Sequence, residues 1–246
     1  MISVIIPTLN EEQNLPGLIK GLVGEGVAHE IIVADGGSAD QTVAVAKNLG
    51  VRVVHSAPGR GRQLAAGAEK AIGDTVLFLH ADTVFPEAGL AAIETALENN
   101  PDAPGGNFRL LFDGDDDFSR WLETFYARIR ARGFYYGDSG QFIRRRVLDA
   151  IGGIRPIALM EDYALARRME GLGDTLCTET PPLVTSSRRF RGRSHTAIVW
   201  GWLKIHVLYF LGVDPDRLAG LYDSRRRRKN ADTSQDSASL RPQSYS

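Results

Sequence analysis

The chain has 246 residues, 43% hydrophobic and 24% charged, an ordinary soluble composition and enough length for one large α/β domain or two small ones. Its formal net charge of −1 conceals an asymmetry, because residues 224–246 carry a net of +4 and the body a net of −5. An acidic body argues against general nucleic-acid binding, and the single cysteine, Cys177, excludes an intramolecular disulfide and a cysteine-rich zinc site.

The N-terminus opens directly on ISVII, a strand pattern with no basic segment leading into an apolar one. No secretory signal is therefore expected, and a cytoplasmic location is. EIIVAD, VRVVHS and TVLFLHAD repeat the β-branched strand pattern. Between them LPGLIKGLV, QTVAVAKNLG and QLAAGAEKAIG place apolar residues at helical spacing, each with a glycine near its end. Such alternation predicts βαβ units and a mostly parallel sheet, whose ligands bind beyond the carboxyl ends of the strands. The segments that follow the four strands are PTLNEE, DGGSAD, SAPGRGR and HADT. Read together they form one polar site.

Beyond residue 100 the pattern changes. GGNFRLLF predicts a strand, FSRWLETFYARIRAR a helix, and YYGDSGQFIRRRVLDAIGG a turn, a short strand and a helix closed by glycines. MEDYALARRMEGLG predicts a helix with Glu161 and Asp162 in its first turn, and DTLCT a strand that makes Cys177 a small core residue. Residues 195–213 are long, aromatic and apolar, but Lys204 and His206 interrupt a stretch shorter than the ~20 residues a span needs. A buried helix or an interface between two copies is expected, with no stable membrane anchor. The expected organisation is one domain over 1–223, split into a nucleotide-binding half at 1–100 and an acceptor half at 101–223. A disordered polar tail follows at 224–246, and the basic run 225–229 reads as solvated.

The loops carry the chemistry. Asp35 ends a strand before two glycines, where a carboxylate can accept from a base or ribose. Asp82 ends the fourth strand, where Mg²⁺ or Mn²⁺ would bridge it to a diphosphate. His80, two residues earlier on an extended strand, would point the same way and could add a nitrogen ligand. GRGRQL lacks the glycines of a dinucleotide-binding turn. Arg60 and Arg62 are instead expected to face an anion at a helix N-terminus.

SVIIPTLNEEQNL, EIIVADGGSADQT, GRGRQLAAGAEKAIGDTVLFLHADT and MEDYALARRM together resemble the family 2 glycosyltransferases, in that family's order and over most of residues 2–175. The resemblance implies a GT-A fold, a UDP-sugar donor and a divalent metal. It implies that Pro7, Thr8, Asn10, Glu11, Asp35, Gly36 and Ala81 lie against the nucleotide sugar and that Asp82 carries the metal. The family's usual Asp-x-Asp is here His80-Ala81-Asp82. Asp162, beside Glu161, matches the position of the general base in inverting members.

HADT, YYGDSGQFIRRR, LMEDYALARRM and TSSRRFRGRSHT further resemble a small subgroup of that family associated with selenium- and arsenic-sugar pathways, which includes selenosugar synthases. That resemblance implies selenophosphate as acceptor, taking glucose or N-acetylglucosamine. Tyr136, Gly137, Arg144, Arg145, Arg188 and Arg189 are then the candidate acceptor contacts, since arginine forks suit small oxyanions. An acceptor already anionic would need little deprotonation, leaving Asp162 to position it. Other acceptors, including an oxygen nucleophile or a polyprenyl phosphate, a nucleotidyltransferase and a non-catalytic nucleotide-sugar sensor are the alternatives at this point.

Overall fold

A computed structural model describes residues 1–114, 116–185 and 194–221. Seven strands form one sheet: β1 (Ile2–Thr8), β2 (His29–Asp35), β3 (Arg52–His55), β4 (Thr75–Phe78), β5 (Gly105–Phe112), β6 (Gln141–Arg144) and β7 (Leu176–Thr185). Their order is β3-β2-β1-β4-β6-β5-β7. The first four strands pair in parallel, β6 runs antiparallel to both β4 and β5, and β7 is parallel to β5.

Helices α1 (Leu15–Val23), α2 (Thr42–Asn48), α3 (Arg60–Lys70), α4 (Gly89–Asn99), α5 (Asp117–Arg130), α6 (Arg145–Ala150), α7 (Glu161–Glu170) and α8 (His195–Phe210) flank this sheet. The two-residue period of β1 separates its two faces. Ile2, Val4 and Ile6 pack with Leu15, Leu18 and Leu22 of α1 and Leu90 and Ile93 of α4. Ile5 points the other way, to Leu64 and Ala68 of α3 and Leu165 and Met169 of α7. Continuous β-branched runs are stable here because both faces of the parallel strands are covered.

Register decides which loops meet. Phe78, at the carboxyl end of β4, pairs with Gln141 at the start of β6, while Thr75 at the other end pairs with Arg144. The turn before β6 is therefore carried to the carboxyl edge beside residues 80–83, and the arginines after β6 to the opposite edge. β4 is also shorter than its hydrophobic run: Leu79 N still donates to Ile5 O at 3.0 Å, but His80 O accepts from Thr83 N at 3.2 Å and closes a turn. His80 and Asp82 thus do not share a strand face, contrary to expectation.

Helix α8 departs from expectation as well. Its inner side joins a cluster containing Leu110, Phe112, Tyr126 and Ile198, with Phe125 and Trp202 packed against it. The outer side is bare, with Trp200 69% and Phe210 68% exposed, so the helix is not buried. No helix among the described residues is long and apolar enough to cross a membrane. The run 225–229 lies outside the described residues.

Candidate active site

The ends of β1 and β2 are held together by side chains. Asp35 Oδ2 accepts from the N–H groups of Gly37 and Ser38 at 2.9 and 3.0 Å, and Oδ1 accepts from the hydroxyls of Ser38 and Thr8. Burial alone would raise this carboxyl, but the donors of Ser38, Gly37 and Thr8 outweigh it and hold it below the usual carboxylate range. Asp35 is fully buried and shapes its own turn rather than presenting both oxygens outward. Gln63, one helical turn after Arg60, donates to the carbonyls of Thr8 at 2.6 Å and Ala34 at 3.0 Å, tying α3 to both strand ends. A Cβ on Gly36 would lie 2.9 Å from the Gln63 amide, so a side chain there would displace that amide from its two carbonyls. The first two loops are laced in turn: Asn10 Oδ1 accepts from Ala39 N, Asn10 N donates to Ser38 Oγ, and Glu11 N donates to Thr42 Oγ1.

Arg60, the first residue of α3, is the centre of the second cluster. Its Nε donates to Glu161 Oε1, its Nη2 to Asp162 Oδ2 at 2.7 Å, and its Nη1 lies 3.2 Å from His80 Nε2. A guanidinium can only donate, so Nε2 of His80 is the acceptor. Asp162 Oδ2 also accepts from Gly137 N at 2.9 Å, and Oδ1 from Tyr163 N at 2.7 Å. A Cβ on Gly137 would sit 3.1 Å from His80 Nε2 and 3.3 Å from Asp162. Gln141 closes the arrangement by donating to the carbonyl of Asp162 at 3.1 Å. Four chain segments distant in sequence therefore meet around the Arg60–Asp162 pair.

The two carboxyls respond oppositely. Burial pushes Glu161 up to about 7, against the pull of Arg60. Its Oε2 is buried with no hydrogen-bond partner among the described residues, which suits a protonated acid. Burial would raise Asp162 too, but Arg60 and the N–H groups of Gly137 and Tyr163 hold it below the usual range. Asp162 stays an anion whose oxygens are both engaged.

Other expected site residues fall less simply. Pro7, Thr8, Asn10, Glu11, Gly36, Ala81 and Asp82 do gather at the carboxyl edge, at or just after the ends of β1, β2 and β4. Arg62 turns away and makes a two-pronged pair with Asp216 at 2.8 and 3.0 Å. Arg144 and Arg145 are corrected outright. Arg144 binds the carbonyls of Leu97, Asn100 and Ala103, and Arg145 those of Ala68, Ala71 and Gly73, all at the amino edge. They cap the ends of α4 and α3. Arg188 and Arg189 lie outside the described residues. Tyr136 packs beneath α8, its hydroxyl 3.0 Å from His206 Nε2. Sequence reading missed Gln63 and Gln141; the only signal was a glutamine on the apolar side of α3 and another inside a short strand.

A metal would find one hard oxygen donor here. Asp82 is half-buried in the turn after β4, and carboxylate oxygen suits Mg²⁺ or Mn²⁺ when phosphate and water complete the shell. His80 fits less well, because its Nε2 faces Arg60. Among the described residues no three His, Cys, Asp or Glu side chains form a metal-binding group.

A family model described as Glycosyl transferase family 2 matches residues 3–155, more than half of the chain. The chain belongs to glycosyl transferase family 2. Among similar proteins, glucosyl-3-phosphoglycerate synthase of Mycobacterium tuberculosis (strain CDC 1551 / Oshkosh) is 34% identical over 96 residues, covering 35% of this chain and 30% of that one. Dolichol-phosphate mannosyltransferase of Pyrococcus furiosus is 32% identical over 140 residues, covering 54% and 38% respectively. The chain spans 24% to 39% of the length of such curated relatives. The crystal structure of the M. tuberculosis synthase with Mn²⁺, UDP and glucosyl-3-phosphoglycerate superposes with a TM-score of 0.58 at 20% identity, covering 87% of this chain and 80% of that one. This likeness speaks for the fold: the family 2 chain has the GT-A architecture expected from its sequence.

Proposed function

We propose that this family 2 chain is an inverting glycosyltransferase that moves a hexose, glucose or N-acetylglucosamine, from a UDP-sugar to a small anionic acceptor. Selenophosphate is the candidate acceptor. Family membership supports the donor chemistry, and a solved relative of the same fold is complexed with Mn²⁺, UDP and a glucosylated phosphoglycerate. The residues 1–100 would hold the nucleotide at the ends of β1 and β2, and the later half would form the acceptor side around Gly137 and Asp162.

The observation that carries the acceptor class is the engagement of Asp162. A neutral hydroxyl needs a base to take its proton. Here the carboxylate in that position is held anionic by Arg60, Gly137 N and Tyr163 N, and an acid so stabilised is a weak base. An anionic nucleophile needs no such help. Its electron pair forms the bond to the anomeric carbon while the bond to the diphosphate oxygen breaks, and that pair leaves with UDP. With selenophosphate the new bond is carbon–selenium. Arg60 and His80 would orient the incoming oxyanion. Asp82 would hold a divalent ion, which when bound neutralises charge on the leaving diphosphate.

The test is a product screen by mass spectrometry. The full chain with Mn²⁺ or Mg²⁺ is offered UDP-glucose or UDP-N-acetylglucosamine, with and without selenophosphate. A selenium-containing hexose together with UDP is expected. Free sugar and UDP in both arms would mean a different acceptor, and no turnover of either donor would contradict the UDP-sugar reading and favour a sensor.

A further inference from the structure

Both oxygens of Asp162 are held by backbone N–H groups, and each group belongs to a peptide unit that is also fixed at its carbonyl. Gly137 N donates to Oδ2 at 2.9 Å. The carbonyl of the same planar unit, Tyr136 O, accepts from Ser139 N at 3.1 Å and from Ser139 Oγ at 2.6 Å. Tyr163 N donates to Oδ1 at 2.7 Å, and the carbonyl of its unit, Asp162 O, accepts from Gln141. Each donor therefore adjoins a tyrosine side chain. The rings of Tyr136 and Tyr163 stack at 6.3 Å with 25° between their planes.

One side chain of α8 meets both rings. His206 stands edge-on to Tyr136 at 5.8 Å and to Tyr163 at 5.3 Å. Its Nδ1 lies 2.8 Å from the carbonyl of Trp202, one helical turn earlier. A carbonyl only accepts, so Nδ1 carries a hydrogen, and in the neutral ring Nε2 is the acceptor. The Tyr136 hydroxyl, 3.0 Å away, is its donor. Burial raises the Tyr136 phenol above its ordinary range, which keeps that hydrogen in place. Trp202 is itself stacked on Phe125 of α5 at 5.8 Å, so the histidine hangs from an anchored turn of the helix. A leucine would fill similar space. The ring nitrogen adds a directional hold on the residue next to Gly137.

We infer that His206 is a positioning residue for sugar transfer: it holds Tyr136 and Tyr163 so that the N–H groups of Gly137 and Tyr163 fix the direction of the Asp162 carboxylate. The inference rests on the reading that Asp162 faces the acceptor, and His206 acts on it through the two tyrosines. Helix α8 thus reaches the site from 44 positions downstream of Asp162 through one hydrogen bond and two ring contacts.

Amide hydrogen exchange of the full chain, read by NMR, tests the hold without any substrate. In His206→Leu the Gly137 and Tyr163 amides should exchange about 3- to 10-fold faster, the worth of one neutral hydrogen bond, while Val4 and Ile6 of β1 keep their rates. Tyr136→Phe keeps the ring, loses the hydroxyl and should act alike, and the two changes together should cost no more than either alone. Kinetics then tests the role. UDP release from UDP-glucose with Mn²⁺, to selenophosphate or to water, should show kcat lowered about 3- to 10-fold in His206→Leu with the KM for UDP-glucose unchanged. His206→Gln, whose amide oxygen can still accept from Tyr136, should recover most of both losses. Unchanged exchange at the two amides would overturn the hold, and faster exchange with unchanged kcat would overturn the role. Faster exchange throughout β1 with a raised donor KM would mean a general loss of packing and would overturn the inference too. Failure of the unaltered chain to make a selenium-containing sugar would contradict the acceptor reading alone, since UDP release to water reads His206 equally.

Discussion

Arg60 and Asp162 stand 102 positions apart in the chain and meet at 2.7 Å between Nη2 and Oδ2. The same guanidinium binds Glu161, so one cation faces two buried carboxyls. The cation is indispensable to that geometry, because removing it strands charge away from water. Arg60→Met should cost about 3–5 kcal/mol of folding stability, the usual range for breaking a buried pair by removing one partner. Adding Asp162→Asn to that variant should return part of the loss. Urea unfolding of the two variants checks both statements.

Glu161 makes a separate prediction in pH. Its carboxyl titrates at about 7 when folded against 4.5 ordinarily, so between those values the folded chain holds a proton that the unfolded chain has released. A raised carboxyl contributes stability that is present below about 4.5 and is lost as pH rises to about 7. Asp162, shifted downward, acts below this window. Glu161→Gln fixes the neutral form and should flatten the stability profile between those two values, as followed by thermal melts across pH.

Arg144 should behave as a structural residue. It donates to three carbonyls at the end of α4 and beyond, and leaving them unpaired should cost about 1–3 kcal/mol. Arg144→Met should therefore lower the melting temperature without changing the KM of any acceptor. Steady-state kinetics beside a melt will separate the two effects.

These contrasts show where sequence was legible. The βαβ alternation and the loop motifs identify the sheet edge because each is a local pattern, read from spacing within ten or so residues. Glu161 and Asp162 are legible as the first turn of a helix for the same reason. The direction of Arg144 is not, since it depends on β6 running antiparallel to β4, and a strand pattern carries no direction. Nor is Gln63 legible: its partners are backbone carbonyls of two other strands, which leave no mark in its own neighbourhood. The exposed row of α8 is a third case, because composition reports that a helix is apolar all round but not whether anything covers it.

Asp82 tests the metal's place. If it is the chain's ligand to a divalent ion, Asp82→Asn should raise the Mn²⁺ needed for half-maximal turnover more than ~100-fold, beyond the roughly 10- to 100-fold loss typical of a residue merely supporting a ligand. The melt without metal should not change. Turnover against Mn²⁺ concentration, with chelator-treated protein as the zero point, provides the measurement.

The central claim is that the acceptor arrives as an anion and that Asp162 positions rather than deprotonates. The most direct measurement is the rate of sugar transfer to selenophosphate by Asp162→Asn against the unaltered chain. Asparagine keeps an oxygen for Gly137 N or Tyr163 N but cannot serve as a base. The account predicts transfer within about tenfold of the original rate. A fall of about 10²- to 10⁴-fold, the ordinary worth of a general base, would contradict it.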